Sequence, residues 1–332
     1  MEKDLVTREN VPFTSIPAAG LHGVGLFRAP RNAWQLLKGA LRSRRILTEF
    51  KPDVLFFTGG YVAVPMAIAG RGIPSLLFVP DIEPGLALKF LSRFASRLAF
   101  TTDSSRKYFP ARIPYVVTGY PTRPSMIVME KGAARKSLGL TGCKPVLLVL
   151  GGSKGARSIN QALWKNLPSL LAFTEIIHIT GTQDWPRVDE IKAGLPDYAA
   201  SRYHPFAYLH EEMAAAFSAA DLAVCRAGAS TLGELPLFRL PAILVPYPYA
   251  WRYQKVNADF LAGKGAADVV RDEDLANKIV PVVRNLLDNP GKLVAMGAAA
   301  AALARPEASE NLGNLLDDLA SRQERNPEAA PC

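Results

Sequence analysis

The chain has 332 residues, of which 49% are apolar and 21% charged, with a formal net charge of +9. A folded globular protein of about two domains is expected from these values, and the excess of cations asks for an anionic partner: phosphates, nucleic acid or an anionic membrane. Cys143, Cys225 and Cys332 are far apart and odd in number, which excludes a disulfide framework and metal-type spacing and favours a reducing cytoplasm. The four histidines make no metal cluster, and the longest apolar run, 293–304, is shorter than the about 18 residues a bilayer span needs.

In chain order, short apolar strands alternate with helical segments. A weak strand at 11–16 is followed by a helix at 32–50, a strand at 54–57, a helix at 65–69, a strand at 75–79, a helix at 85–95 and strands at 98–101 and 115–118. The segment 121–134, "PTRPSMIVMEKGAA", mixes prolines with charge and reads as a domain boundary. Strands at 146–150, 175–179, 222–225 and 242–245 follow, with helices at 156–167, 213–219, 231–237, 256–261 and 277–287. Strand runs rich in Val, Leu and Ile between helices describe parallel sheet, so the predicted class is α/β with two Rossmann-like domains. We place these at 1–125, incomplete at its start, and 126–320, with a flexible polar tail at 321–332. A doubly wound sheet is normally opened by a strong strand and a glycine loop. The second half opens this way; in the first half, polar residues lead directly into a weak strand.

Three glycine turns carry the candidate chemistry. In "LLVLGGSKGA", Gly151 and Gly152 end a strand, Ser153 can cap or donate to a phosphate, and Gly155 precedes a helix whose N-terminus suits an anion. The spacing matches neither the P-loop nor the dinucleotide fingerprint, and a ligand-free strand-to-helix turn is the competing reading. Gly59, Gly60 and Tyr61 form a second such turn, for which a plain βα connection is equally acceptable. The third is "CRAGASTLGE", where Glu234 stands three residues after Thr231. That spacing suits a capping box, or a carboxylate that accepts both hydroxyls of a ribose.

"GGSKGARSIN", "HEEMAAAFSAADLAVCRAGASTLGE", "LPAILVPYP" and "YQKVNADFL", with "KPDVLFFTGGYVAVPMAIAGRGIP" and "GYPTRP", resemble the MurG family over residues 4–310. The resemblance implies the GT-B architecture, two Rossmann-type domains around a cleft. It also implies inverting transfer of N-acetylglucosamine from UDP-GlcNAc to an undecaprenyl-linked lipid acceptor in peptidoglycan synthesis, with no metal or other cofactor. By the same resemblance, Ser153, the backbone of Gly152 to Gly155, and Arg123 would face the diphosphate, with Ala229, Ser230 and Thr231 adding groups at a helix start. Glu234 would bind the ribose hydroxyls, Gln254 the sugar with Asn257 nearby, and the backbone around Leu209 and His210 the uracil. Gly59, Gly60, Tyr61 and Asp81 would lie on the acceptor side. An arginine and helix N-termini can stabilise a departing diphosphate as a metal would.

The stretch 26–51 places seven cations against Glu49 alone and interleaves Phe27, Trp34, Leu37 and Leu41 with them. Phe27, Arg31, Trp34, Lys38 and Arg42 are therefore candidates for contact with an anionic leaflet, against the alternative of a helix whose apolar side packs on the sheet. The resemblance implies peripheral docking on the cytoplasmic face of the membrane. No motif supports nucleic acid.

Three features depart from the family. Its opening strand and glycine-rich loop, ending in the histidine favoured as general base, have no counterpart here, so a start chosen too late or a fragment is expected and the catalytic base is unassigned. His22 is not given that role. Asp81 replaces an amide in "FVPDIEPG", where Asp81 and Glu83 are either acid–base groups or plain loop carboxylates, and Trp251-Arg252-Tyr253 replaces a more polar set beside Gln254.

Overall fold

The computed structural model describes residues 3, 6, 7, 10–18, 29–140, 142–152, 155–249 and 252–324. The chain forms two all-parallel α/β sheets. The first has β1 (Leu55–Phe57), β2 (Ser75–Val79), β3 (Arg97–Phe100) and β4 (Tyr115–Val117) in the order β1-β2-β3-β4. It is preceded by helix α1 (Ala29–Phe50). Gly39 of α1 sits under the carbonyl of Pro17 and against Pro65, where a Cβ would come within 2.2 Å of that oxygen. Only glycine allows this approach.

The expected strand at 11–16 is absent: residues 11–18 have no ladder partner, and Val11 and Phe13 are exposed. Pro12 and Pro17 remove two N–H donors from this short segment, which disfavours a place in a sheet.

The second sheet contains β5 (Val146–Leu150), β6 (Glu175–Ile179), β7 (Tyr203–Phe206), β8 (Leu222–Cys225), β9 (Ala242–Leu244) and β10 (Ala267–Val269), ordered β10-β9-β8-β5-β6-β7. This is the doubly wound order, with its switch point between β5 and β8, where the crevice at the strands' carboxyl ends takes a ligand. Three helices bear on that edge: α2 (Arg157–Lys165), α3 (Thr231–Leu237) and α4 (Tyr253–Gly263).

The last helix, α5 (Ala308–Glu324), returns to the first sheet. Leu312, Leu315 and Leu319 pack on Leu76, Phe78 and Ala99. The intervening residues Leu77 and Val79, together with Leu98 and Phe100, face the opposite core, as the two-residue period of a strand requires. The chain therefore crosses between the sheets twice, and the crossings touch: Gly119, at φ +90°, lies against the side chains of Arg305 and Ala308.

Candidate functional site

A cavity of about 450 Å³ opens at the switch point of the second sheet. The ends of β5 and β8 supply Leu150 to Gly152 and Cys225, Arg226 and Gly228; the turn into α3 and that helix supply Ser230, Thr231 and Glu234; α4 supplies Gln254; and the segment joining the sheets supplies Tyr120 to Arg123. Of the twelve donor-side residues expected from the sequence, Arg123, Gly152, Ser230, Thr231, Glu234 and Gln254 thus share one cavity. Ser153 lies outside the described residues.

Gly155, Leu209, His210, Ala229 and Asn257 stand off the cavity wall. Leu209 is in the core, and His210 sets its ring beside Tyr208, with centroids 4.6 Å apart and the planes tilted by 60°. Tyr208, Phe217 and Tyr120 line the site without having been singled out from the sequence. Tyr120 follows Gly119 within the quoted "GYPTRP" and Tyr208 adjoins Leu209, so proximity to the motifs was the available signal.

The glycines divide the work of the loop. A Cβ on Gly151 would strike the backbone N of Ala156 at 2.2 Å, and one on Gly155, at φ +80°, would reach the Thr180 carbonyl at 2.2 Å. Gly152, at φ +85°, has open space above it on the cavity side. Gly151 and Gly155 therefore hold the loop tight, and Gly152 leaves room for a ligand against bare backbone. Gly155→Ala is expected to lower stability by about 2 kcal/mol or more through backbone strain and overpacking, and to weaken binding of UDP; thermal unfolding and calorimetry measure the two effects.

Beneath the loop lies a buried polar chain. Asn160 of α2 donates from Nδ2 to the Thr180 carbonyl and to Asp184 Oδ2, each at 2.8 Å. Its Oδ1 is therefore turned to His178 Nε2 at 3.0 Å and accepts from it. His178 Nδ1, left as the acceptor, takes the hydroxyl proton of Tyr203 at 2.8 Å, while that oxygen accepts from Trp164 Nε1 at 3.0 Å. His178 is fully buried, and desolvation pushes its pKa down to about 3, so it is neutral with the proton on Nε2. The chain ties the first turn of α2 to the loop after β6.

The charges in the cavity are arranged unequally. Arg226 is committed: it pairs with Asp272 Oδ1 at 2.5 Å, donates to Ser158 Oγ at 2.7 Å and to the Val245 carbonyl at 3.1 Å, and lies over Tyr247. Arg123 makes no ion pair among the described residues; its Nη2 approaches Met126 Sδ at 3.8 Å. Glu234 is half-buried, and burial raises its carboxyl above the ordinary glutamate range against the opposing effects of the Ser230 hydrogen bond and Arg123. The capping box is not formed. Thr231 Oγ1 donates back to the Gly228 carbonyl at 2.5 Å, and the Ser230 side chain makes no capping hydrogen bond to α3. Gln254 accepts from the Tyr247 N–H at 2.8 Å through Oε1, which orients its amide nitrogen. Cys225 lines the wall as a thiol pushed up to about 12, chiefly by burial, and is no nucleophile.

On the facing side, Gly59 and Gly60 take φ +112° and +81°, and Tyr61 is exposed. Asp81 is raised by burial and held back by its hydrogen bond from Asn257. Burial, chiefly, and the nearby Tyr61, Asp81 and Glu83 raise the Tyr253 phenol, so the turn at 59–61 and the loop at 80–85 converge on the start of α4. Asn257, expected beside the sugar, is instead fully buried, with both amide protons donated to Asp81 and the Ala227 carbonyl.

On α1, Trp34, Leu37 and Leu41 are exposed by 57%, 50% and 64%. Lys38 Nζ stands 5.3 Å from the centre of the Trp34 ring, and Arg42 is exposed beside them. Those three apolar residues do not pack on the sheet, which was the alternative considered from the sequence. Phe27 and the side chain of Arg31 lie outside the described residues. No described helix is long and apolar enough to cross a membrane, and no group of three or more His, Cys, Asp or Glu among the described residues could hold a metal ion.

Comparison with known proteins matches residues 146–312 to the glycosyltransferase family 28 C-terminal domain and residues 1–100 to the glycosyltransferase family 28 N-terminal domain. A protein of Roseiflexus sp. (strain RS-1), named UDP-N-acetylglucosamine--N-acetylmuramyl-(pentapeptide) pyrophosphoryl-undecaprenol N-acetylglucosamine transferase, is 39% identical over 364 residues, covering 98% of this chain and 82% of that one. The crystal structure of Acinetobacter baumannii MurG superposes with a TM-score of 0.73 at 27% identity, over 96% of this chain and 88% of that one. A UDP-GlcNAc 2-epimerase from Neisseria meningitidis bound to UDP-GlcNAc reaches a TM-score of 0.63 at 13% identity, over 96% and 88% of the two chains, a likeness of fold alone. With a glycine-edged cavity at the switch point, the family 28 matches in both halves and this identity to a named relative, the chain belongs to the MurG family of glycosyltransferases.

Proposed function

We propose that this chain transfers N-acetylglucosamine from UDP-GlcNAc to the undecaprenyl-pyrophosphoryl muramyl-pentapeptide lipid, with inversion, at the cytoplasmic face of the membrane. The observation that carries the reading is the pairing, in one cavity, of an uncommitted Arg123 with a half-buried Glu234 beside open backbone at Gly152. Glu234 accepts the two ribose hydroxyls. Arg123, the backbone at Gly152 and the groups at the start of α3 take the diphosphate and stabilise it as it departs. Gln254, oriented through Tyr247, reads the sugar. We assign the second sheet and its helices, within residues 126–320, the donor side, and residues 1–125, with the α5 that returns to them, the acceptor side, with Gly59, Gly60, Tyr61 and Asp81 facing the incoming hydroxyl. The exposed apolar and basic face of α1 rests on anionic lipid. Neither a metal, another cofactor nor nucleic acid enters this reading.

The test is transfer of radiolabelled GlcNAc from UDP-GlcNAc to the muramyl-pentapeptide lipid in anionic vesicles, with diacylglycerol as a parallel acceptor. Labelled product on the first lipid is expected. Transfer to diacylglycerol alone identifies another lipid glycosyltransferase of the same fold. UDP binding with no transfer to either lipid identifies a sugar-nucleotide-binding protein; both results overturn the proposal.

A further inference from the structure

Side-chain hydrogen bonds join the two halves of the cleft between the loop 80–85 after β2 and the start of α4. Asn257 Oδ1 accepts from the Ile82 N–H at 3.1 Å, and its Nδ2 donates to Asp81 Oδ1 at 2.8 Å and to the Ala227 carbonyl at 3.1 Å. Arg252 Nη2 donates to Glu83 Oε1 at 2.7 Å; Glu83 is 5% exposed, so its partner lies at the mouth of a buried charge. Gly85 lies against the Tyr253 hydroxyl, where a Cβ would come within 3.1 Å.

These contacts reach both sides of the chemistry. Ala227 precedes the turn that carries Ser230, Thr231 and Glu234 into the donor cavity, and Gln254 lies one helical turn before Asn257 on α4. Asp81 belongs to the acceptor side. One fully buried amide therefore bonds the acceptor-side loop, the donor turn and the helix that carries the sugar-reading glutamine. Such a group is costly to bury unless it fixes something, because a polar side chain buried without its partners is strongly penalised.

We infer that Asn257 is a positioning residue for transfer: it sets the acceptor-side loop 80–85 in register with the donor turn at 227–234, so that the two substrates meet in one geometry. Asn257 touches neither substrate. Its effect is exerted through Asp81, Ile82 and Ala227, and Arg252 with Glu83 extends the same link along the loop. The inference rests on the transfer reaction proposed above. Misplacement of reacting groups by about 1 Å can cost about a hundredfold in rate, so a residue of this kind acts on turnover rather than on affinity for either substrate.

The test compares Asn257→Asp, Asp81→Asn and the double variant in the full chain. Asn257→Asp keeps the size of the side chain and its acceptor for Ile82, but sets a carboxylate against Asp81 and donates to neither old partner. Turnover is expected to fall about tenfold or more, while the calorimetric affinity for UDP stays within about twofold of the parent. In the double variant the amide introduced at position 81 can donate to the carboxylate introduced at position 257, restoring the link with its direction reversed. Turnover is then expected to return to about the value of Asp81→Asn alone, a coupling read from the double-mutant cycle. A double variant no faster than Asn257→Asp overturns the inference, as does a loss of UDP affinity in step with turnover. Small-angle scattering supplies a second readout that needs no acceptor. Asn257→Asp should expand the particle and Asp81→Asn should reverse the expansion, whereas unchanged scattering overturns the link. If the parent chain transfers no sugar, the proposed function fails and the scattering comparison still decides the link.

Discussion

Glu234→Ala is expected to lower kcat/KM for UDP-GlcNAc by about a hundredfold or more while leaving the fold intact or firmer. Two hydrogen bonds from ribose hydroxyls to a carboxylate are charge-assisted, and such bonds contribute about 1.5–3 kcal/mol each. The stability side runs the other way. Burial raises the Glu234 carboxyl above its ordinary value, so in the free protein its ionised form is held at a cost that the substitution removes. Glu234→Gln should therefore raise the melting temperature slightly and still bind the nucleotide poorly, because an amide offers one acceptor where the carboxylate offers two. The same shift sets a pH dependence. A protonated Glu234 accepts less well, so donor affinity should fall on acidification from a pH above the usual glutamate range. Calorimetric titration with UDP at descending pH, on parent and variant, measures both effects. A variant that binds as tightly as the parent would remove Glu234 from the donor site.

The second large effect is expected at His178. His178→Leu should cost about 3–5 kcal/mol at pH 7, since it leaves the Tyr203 hydroxyl without an acceptor and the Asn160 oxygen without a donor in a fully buried site. The pH dependence separates this from simple loss of packing. The folded histidine protonates only at about 3, against 6.5 when unfolded. Its contribution is complete above pH 6.5 and is lost as pH falls toward 3, at about 1.4 kcal/mol for each pH unit in that window. The variant lacks the group, so the stability gap between parent and variant should narrow by about 2–3 kcal/mol between about pH 6.5 and about pH 4.5 in denaturant titrations. A gap that stays constant would mean that His178 titrates normally in the fold.

How far these features could be read from the sequence depended on whether the signal was local. The four inner strands of the second sheet, β5, β6, β8 and β9, are apolar runs and were legible. The two edge strands were missed for opposite reasons of composition: β7 carries His204 and Pro205, which an edge tolerates, and β10 is three residues long with Asp268 at its centre. The segment at 11–16 has strand-like residues but also the prolines that keep it from a ladder. In the site, Gly152, Ser230, Thr231, Glu234 and Gln254 stand in motifs and were found together. Tyr120 and Phe217 stand inside the quoted "GYPTRP" and "HEEMAAAFSAADLAVCRAGASTLGE", but which residues of a motif turn into the cavity is set by topology. Asn257 shows the same limit. Its motif placed it near the sugar, whereas its partners Asp81 and Ile82 stand about 175 residues away along the chain.

The return of α5 to the first sheet decides what can be cut from this molecule. A fragment ending near residue 125 would carry Leu76, Phe78 and Ala99 on a bare face, because the leucines that cover them belong to the other end of the chain. Such a piece would associate through that face rather than stand alone, so the first sheet depends on α5 for its solubility. Mechanically, the two linkers that pass between the sheets meet where Gly119 abuts Arg305 and Ala308. A side chain at position 119 would bring its Cβ within 2.4 Å of Arg305 Cβ, from a φ of +90° that favours glycine, so the junction of the two linkers takes no added bulk unless one of them gives way.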